Sequence, residues 1–180
     1  RFAASGFGRE EIVIDLEADY GGPIPLLPAH MGDADYKAYL AVVPGAQLAS
    51  IYDRWGSRLL EQNVRVFLQA RGGVNKGIRN TIDNDPDMFF AYNNGLTATA
   101  TAVSTERLAD GTLGIAVLED LQIVNGGQTT ASLLHARDQG ADLAEVFVQM
   151  KLSVVQPQLI EDVVPRISRY ANTQNRISEA

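Results

Sequence analysis

Three short stretches of the chain are crowded with side-chain amides and glycines. They are Asn93-Asn94-Gly95, Asn125-Gly126-Gly127-Gln128-Thr129-Thr130, and Asn172 with Gln174 and Asn175. A carboxamide offers a donor and an acceptor side by side, the combination that matches the edges of nucleic-acid bases. The second stretch adds another source of chemistry. It follows an apolar run and precedes helix-like sequence, so its glycines would turn the chain and leave the first helical N–H groups without partners. Such a helix start attracts phosphate or carboxylate through free donors and the positive end of the dipole. Thr129 or Thr130 would add a hydroxyl there, or simply cap the helix. A plain turn with a cap explains the stretch equally well, because it contains neither G-x-x-x-x-G-K-[ST] nor G-x-G-x-x-G. Asn-Gly is likewise the commonest tight hairpin turn, and Asn172, Gln174 and Asn175 suit a helix end. The density of amides across all three is what argues for a shared polar cleft.

Little else carries chemistry. His30 and His135 lie far apart without a ligand pattern, so no metal site is expected. Asp83, Asp85 and Asp87 lack the glycine and final glutamate of a calcium loop and read as a solvated loop. No Ser/His/Asp arrangement can be drawn, and no cofactor motif is present. Arg65, Lys76 and Arg79 flank the first amide stretch and would supply positive charge, or serve only as surface solvation. The absence of cysteine excludes disulfides, thiolate zinc sites and a Cys nucleophile. The net charge of −7 is the opposite of a basic nucleic-acid-binding domain, so such a role needs a local basic surface or another part of the protein. No apolar run is long enough to span a membrane and no signal peptide opens the chain, which fits a cytoplasmic protein. The 180 residues suit one domain with a real core, or one domain plus an appended segment. The chain starts at Arg1 and closes on "NRISEA", where Ser178 would cap a further helix, so we read it as a fragment of a longer protein.

The elements that must position these stretches follow from periodicity. Residues 11–16 and 36–43 read as strands. Residues 21–30, with three prolines, read as an extended loop. Leu48, Ile51, Tyr52, Trp55 and Leu59 share one face of a helix expected over residues 46–61. Residues 63–69 alternate and predict a strand, with Val64, Val66 and Leu68 on one face. Val74, Ile78 and Ile82 predict a short helix that Pro86 stops. Residues 96–103 have period two, with small alanines that imply close packing on one face. Residues 110–114 form a turn, residues 115–124 one strand or two, residues 128–139 a helix ended by Gly140, and residues 146–155 a strand. A last helix starts near Pro157, and Pro165 should kink or split it. The whole predicts an α/β (α+β) fold, a mixed sheet flanked by helices.

Six stretches resemble, in order, the AIPR family, the abortive-infection phage-resistance proteins of bacteria: "NVRVFL", "VNKGIRNTI", "FFAYNNGLT", "LQIVNGGQTT", "VFVQMKLSVV" and "ANTQNRIS". On this likeness residues 63–180 form the AIPR-like core, and residues 1–62 a more variable part of the same domain. The resemblance implies a bacterial protein of phage defence, with a phage component as trigger. A more distant resemblance links the chain to ParB-like nucleotide-binding domains and implies a ParB/sulfiredoxin-like core. There Arg65 would precede the first helix, Gly127 to Thr130 would occupy the phosphate-binding turn, and Asn172 with Gln174 would sit in the second segment. The chain departs from that pattern: Thr129 and Thr130 replace two arginines, and Ala171 a glutamate.

The leading expectation is a domain whose Asn94, Asn125, Gln128, Thr129, Asn172 and Asn175 line one cleft for a nucleotide or nucleic acid. An enzyme hydrolysing such a ligand, with Glu119 and Asp120 the nearest carboxylates in sequence, is the second. A protein-interaction scaffold or oligomer, whose amides only pin loops, is the third.

Overall fold

Alternation along strands and helical spacing along helices sort apolar residues onto faces that must be covered. A computed structural model, which describes residues 11–30 and 36–173, shows the outcome. The elements run β1 (Val13–Asp15), α1 (Leu16–Asp19), β2 (Ile24–His30), β3 (Tyr36–Pro44), α2 (Gly45–Trp55), α3 (Gln62–Arg71), α4 (Lys76–Asn84) and α5 (Phe89–Tyr92). They continue with β4 (Leu96–Ala100), β5 (Ala102–Arg107), β6 (Leu113–Glu119), β7 (Gln122–Asn125), α6 (Gly127–Asp138), β8 (Phe147–Val155) and α7 (Ile160–Thr173).

The strands form one mixed sheet in the order β1-β6-β2-β3-β8-β4-β7, with β5 also paired to β6. Among the described strand pairs only β4 and β8 run parallel, Leu96 opposite Met150 through Ala100 opposite Val154, and a single parallel bridge joins Leu60 to Ile123. The chain is therefore α/β with a mixed sheet, as its periodicity predicts. Tyr39, Ala41 and Val43 on β3 lie opposite Leu152, Met150 and Val148 on β8, and all six are buried. Leu48 and Ile51 of α2 and Leu133 and Ala136 of α6 join the same core. Each large aliphatic side chain so buried contributes about 1.5–3 kcal/mol. β4 is buried on both faces, and its small residues Ala98, Thr99 and Ala100 leave room for that.

Several local expectations are corrected. Residues 63–69 are helical, not a strand. The carboxylate of Glu61 caps α3 by accepting from the backbone N–H groups of Asn63 (3.0 Å) and Val64 (3.4 Å), and left-handed Gly72 ends it. Val64 and Leu68 are buried while Val66 and Phe67 are exposed, so spacing of four governs and the alternation is coincidental. The proline-rich stretch is a strand, β2. Pro25 pairs only on the β6 side and Pro28 only on the β3 side, so each lies where one neighbour is missing and a lost N–H is tolerated. The helix expected over residues 46–61 ends at Trp55, where Gly56 takes a positive φ, and a 3₁₀ turn follows. Asn93-Asn94-Gly95 is not a hairpin turn but the link from α5 to β4. Helix α7 runs through Pro165 without being split.

Candidate functional site

The second amide stretch joins β7 to α6, and its two glycines are needed for different reasons. Gly126 has φ 100°, and a Cβ there would collide with the Leu96 side chain and the Gly95 carbonyl. Gly127 lets the first turn of α6 press against α3, since a Cβ would come 2.8 Å from Val64 Cγ1. Helix α6 starts with no side-chain cap. Thr130 is fully buried and its hydroxyl donates to the Gly126 carbonyl at 3.1 Å, inside the helix. Thr129 instead meets the first amide stretch. Its hydroxyl lies 3.1 Å from Asn93 Nδ2 and 3.3 Å from Asn93 Oδ1, and that oxygen also accepts from the Gly95 N–H at 2.8 Å. Gln128 Oε1 accepts from Asn75 Nδ2 at 3.4 Å.

The third stretch is stitched to the second. Asn172 Nδ2 donates to the carbonyls of Val124 (2.8 Å) and Ser168 (2.7 Å), while Asn125 Nδ2 donates to the Ala171 carbonyl (2.9 Å). Ser168 Oγ donates in turn to Glu61 Oε2 at 3.0 Å, so one carboxylate ties α7 to the start of α3. These bonds satisfy polar groups that packing has taken from water.

Between α3, the loop at residues 93–95, the start of α6 and one face of α7 lies a cleft of about 1070 Å³. Asn93, Asn94, Gly95, Asn125, Gly126, Gly127, Gln128, Thr129 and Asn172 all border it; Thr130 does not. Arg65 does not either. Its guanidinium donates to the carbonyls of Ser57 (3.2 Å) and Leu60 (3.1 Å), and it borders a second recess of about 380 Å³ with Asp120 and Gln122. Gln174 and Asn175 lie outside the described residues. Arg79 pairs with Asp83 at 3.0 Å and stays clear of the cleft, as does Lys76.

The cleft also holds residues that sequence reasoning missed: Asn63, Phe67 and Arg71 on α3, Tyr92, and Arg166 and Arg169 on α7. A helical reading of residues 63–71 would have found the first three at i, i+4 and i+8. Among the described residues no Asp or Glu borders the cleft, although the chain contains 22 of them. The cations there are only lightly engaged. Arg166 pairs with Asp162 at 3.1 Å in an exposed one-turn contact, an ion pair worth little in water. Arg71 lies over the Phe67 ring at 5.3 Å. Among the described residues no three His, Asp or Glu side chains converge for a metal, and no helix is long and apolar enough to cross a membrane.

No curated protein matches the chain, and no solved structure does. A family model described as AIPR protein matches residues 60–180, which contain every element bordering the cleft. The chain belongs to the AIPR family, the abortive-infection phage-resistance proteins.

Proposed function

We propose that the chain serves phage defence by binding a nucleotide or nucleic acid in the cleft between α3, α6 and α7. One observation carries the reading: in an acidic chain of net charge −7, the described residues bordering this cleft include Arg71, Arg166 and Arg169 and no carboxylate. That is the local basic surface a phosphate ligand requires, and guanidinium forks match phosphate oxygens in pairs. The uncapped first turn of α6 adds backbone donors at the same wall. Asn94 and Gln128 supply paired donors and acceptors for base edges. A ligand released or exposed by phage infection would be the trigger. Hydrolysis has less support. Asp120 accepts from the Ile12 N–H (3.1 Å) and the Thr101 hydroxyl (3.4 Å) beside the other recess, away from the cleft.

The test is titration of the full chain with labelled nucleotides and oligonucleotides, followed calorimetrically and by anisotropy. The double variant Arg71→Glu/Arg169→Glu should bind at least about tenfold more weakly in low salt, because like charge now meets phosphate. Both side chains are exposed, so its melting temperature should stay within about 2 °C of the parent. Unchanged affinity in the double variant would sink the reading.

A further inference from the structure

We infer that the ligand is single-stranded nucleic acid, held as an unpaired run of nucleotides. This rests on the binding proposed above and adds its substrate class. Two aromatic rings bordering the cleft remain in solvent: Phe67 is 51% exposed and Tyr92 is 62% exposed. Burying such rings would have stabilised the fold, as it does for fully buried Phe89 three residues before Tyr92. Helix α3 buries Val64 and Leu68 and turns Phe67 to the cleft between them. On the α3 wall a ring is coupled to a guanidinium: Arg71 lies 5.3 Å from the centre of Phe67. On α7 Arg169 borders the cleft and lies 5.0 Å from the ring of Tyr170, which does not border it. A ring beside an arginine suits an unpaired nucleotide, because the base stacks on one and the phosphate meets the other.

Length separates a strand from a mononucleotide. Cleft residues on α3 run from Asn63 to Arg71, and those on α7 from Pro165 to Thr173. Each span is nine residues, and the eight rises between its ends make about 12 Å of helix. The polar groups are strung along two walls and not gathered at one point. A mononucleotide brings one base and one phosphate cluster, leaving a second ring and further arginines unengaged. A duplex keeps the faces of its bases inside its own stack, so neither ring could reach one. An unpaired strand uses both rings and the row of cations together.

The experiment takes the full chain and a labelled mixed-sequence DNA strand of about 12 nucleotides, within the range of single-strand grooves. It adds the RNA of the same sequence, the matching duplex, and ATP and GTP as competitors. Either single strand should bind at least about tenfold tighter than the duplex or the nucleotides, since only the strand can stack on both rings. Whether DNA or RNA binds more tightly then names the source. Phe67→Ala and Tyr92→Ala should each weaken the strand by about tenfold with the salt slope unchanged, and Phe67→Trp should restore it. Arg71→Gln should instead lower the slope of log K against log salt by about 0.7. A duplex or nucleotide bound as tightly as the strand, or alanine variants that bind like the parent, would overturn the inference. Nucleotides bound without any strand would overturn it and leave the binding proposal standing; no binding of any probe would overturn both.

Discussion

The cleft and the smaller recess both border α3 and draw on the same residue types, yet they use them differently. In the recess every polar side chain just described closes one backbone segment onto another. Arg65 holds the carbonyls of Ser57 and Leu60, Gln122 Nε2 donates to the Arg58 carbonyl at 2.8 Å, and Asp120 holds Ile12 and Thr101. The floor of the cleft behaves alike, with Asn93, Asn125 and Asn172 committed to neighbours. Its rim does not. The Asn94 side chain makes no hydrogen bond to another described residue, and Arg71 only lies over a ring. Residue type therefore says little about role. What decides is whether a strand or helix end leaves a carbonyl or N–H within reach, because a half-buried polar group takes such a partner when one exists.

The largest loss of stability is expected in the recess. Asp120 has φ 52° and accepts two hydrogen bonds, so Asp120→Ala removes an ionised acceptor from a backbone turn that alanine tolerates poorly. The cost should be about 2–4 kcal/mol, from the lost charged hydrogen bonds and the left-handed backbone together. Thermal unfolding should show a fall of about 5–15 °C for a chain of this size. Binding to the cleft, measured below that transition, should be unchanged. A parallel loss of affinity would break the contrast and return Asp120 to the candidate catalytic groups.

A smaller loss is expected at the cleft floor. Asn172→Ala leaves the Val124 carbonyl without its side-chain donor and should cost about 1–2 kcal/mol. Because Asn172 stitches α7 to β7, affinity should drop modestly through misplacement of Arg169, and low temperature should recover most of it. Affinity lost completely at a temperature where the fold is intact would show that Asn172 touches the ligand directly.

How much of this was legible in the chain depends on whether one pattern or two fitted a stretch. Val148, Met150 and Leu152 alternate in only one way, and β8 is where periodicity puts it. Over residues 63–69, valines at 64 and 66 with leucine at 68 satisfy period two, while 64 and 68 alone satisfy the helix. Glu61 before and Gly72 after were the deciding signals, and a glutamate is an uncommon cap. That one misreading hid Asn63, Phe67 and Arg71 from the expected site. Prolines in β2 misled for a related reason: their cost vanishes where a neighbouring strand stops, and strand length is a tertiary fact. The amide stretches were conspicuous in sequence, whereas a cleft whose described lining holds no carboxylate exists only once distant segments are folded together.

The smallest loss of stability falls at Asn94, and there the two regions separate most sharply. Its side chain is exposed and unengaged by other described residues, so Asn94→Ala should change stability by less than about 0.5 kcal/mol. A carboxamide kept only for solubility would leave binding untouched as well. If Asn94 meets a base edge or a phosphate oxygen, losing one hydrogen bond should weaken the ligand by about fivefold, the equivalent of roughly 1 kcal/mol. Asn94→Asp sharpens the comparison, because it preserves shape and places a carboxylate among the described residues of the cleft. It should weaken binding more than alanine does at low salt, with the difference shrinking as salt rises, since added ions screen exposed charges. Equal affinity for parent, alanine and aspartate variants would mean that the rim, like the recess, holds polar residues for the fold alone.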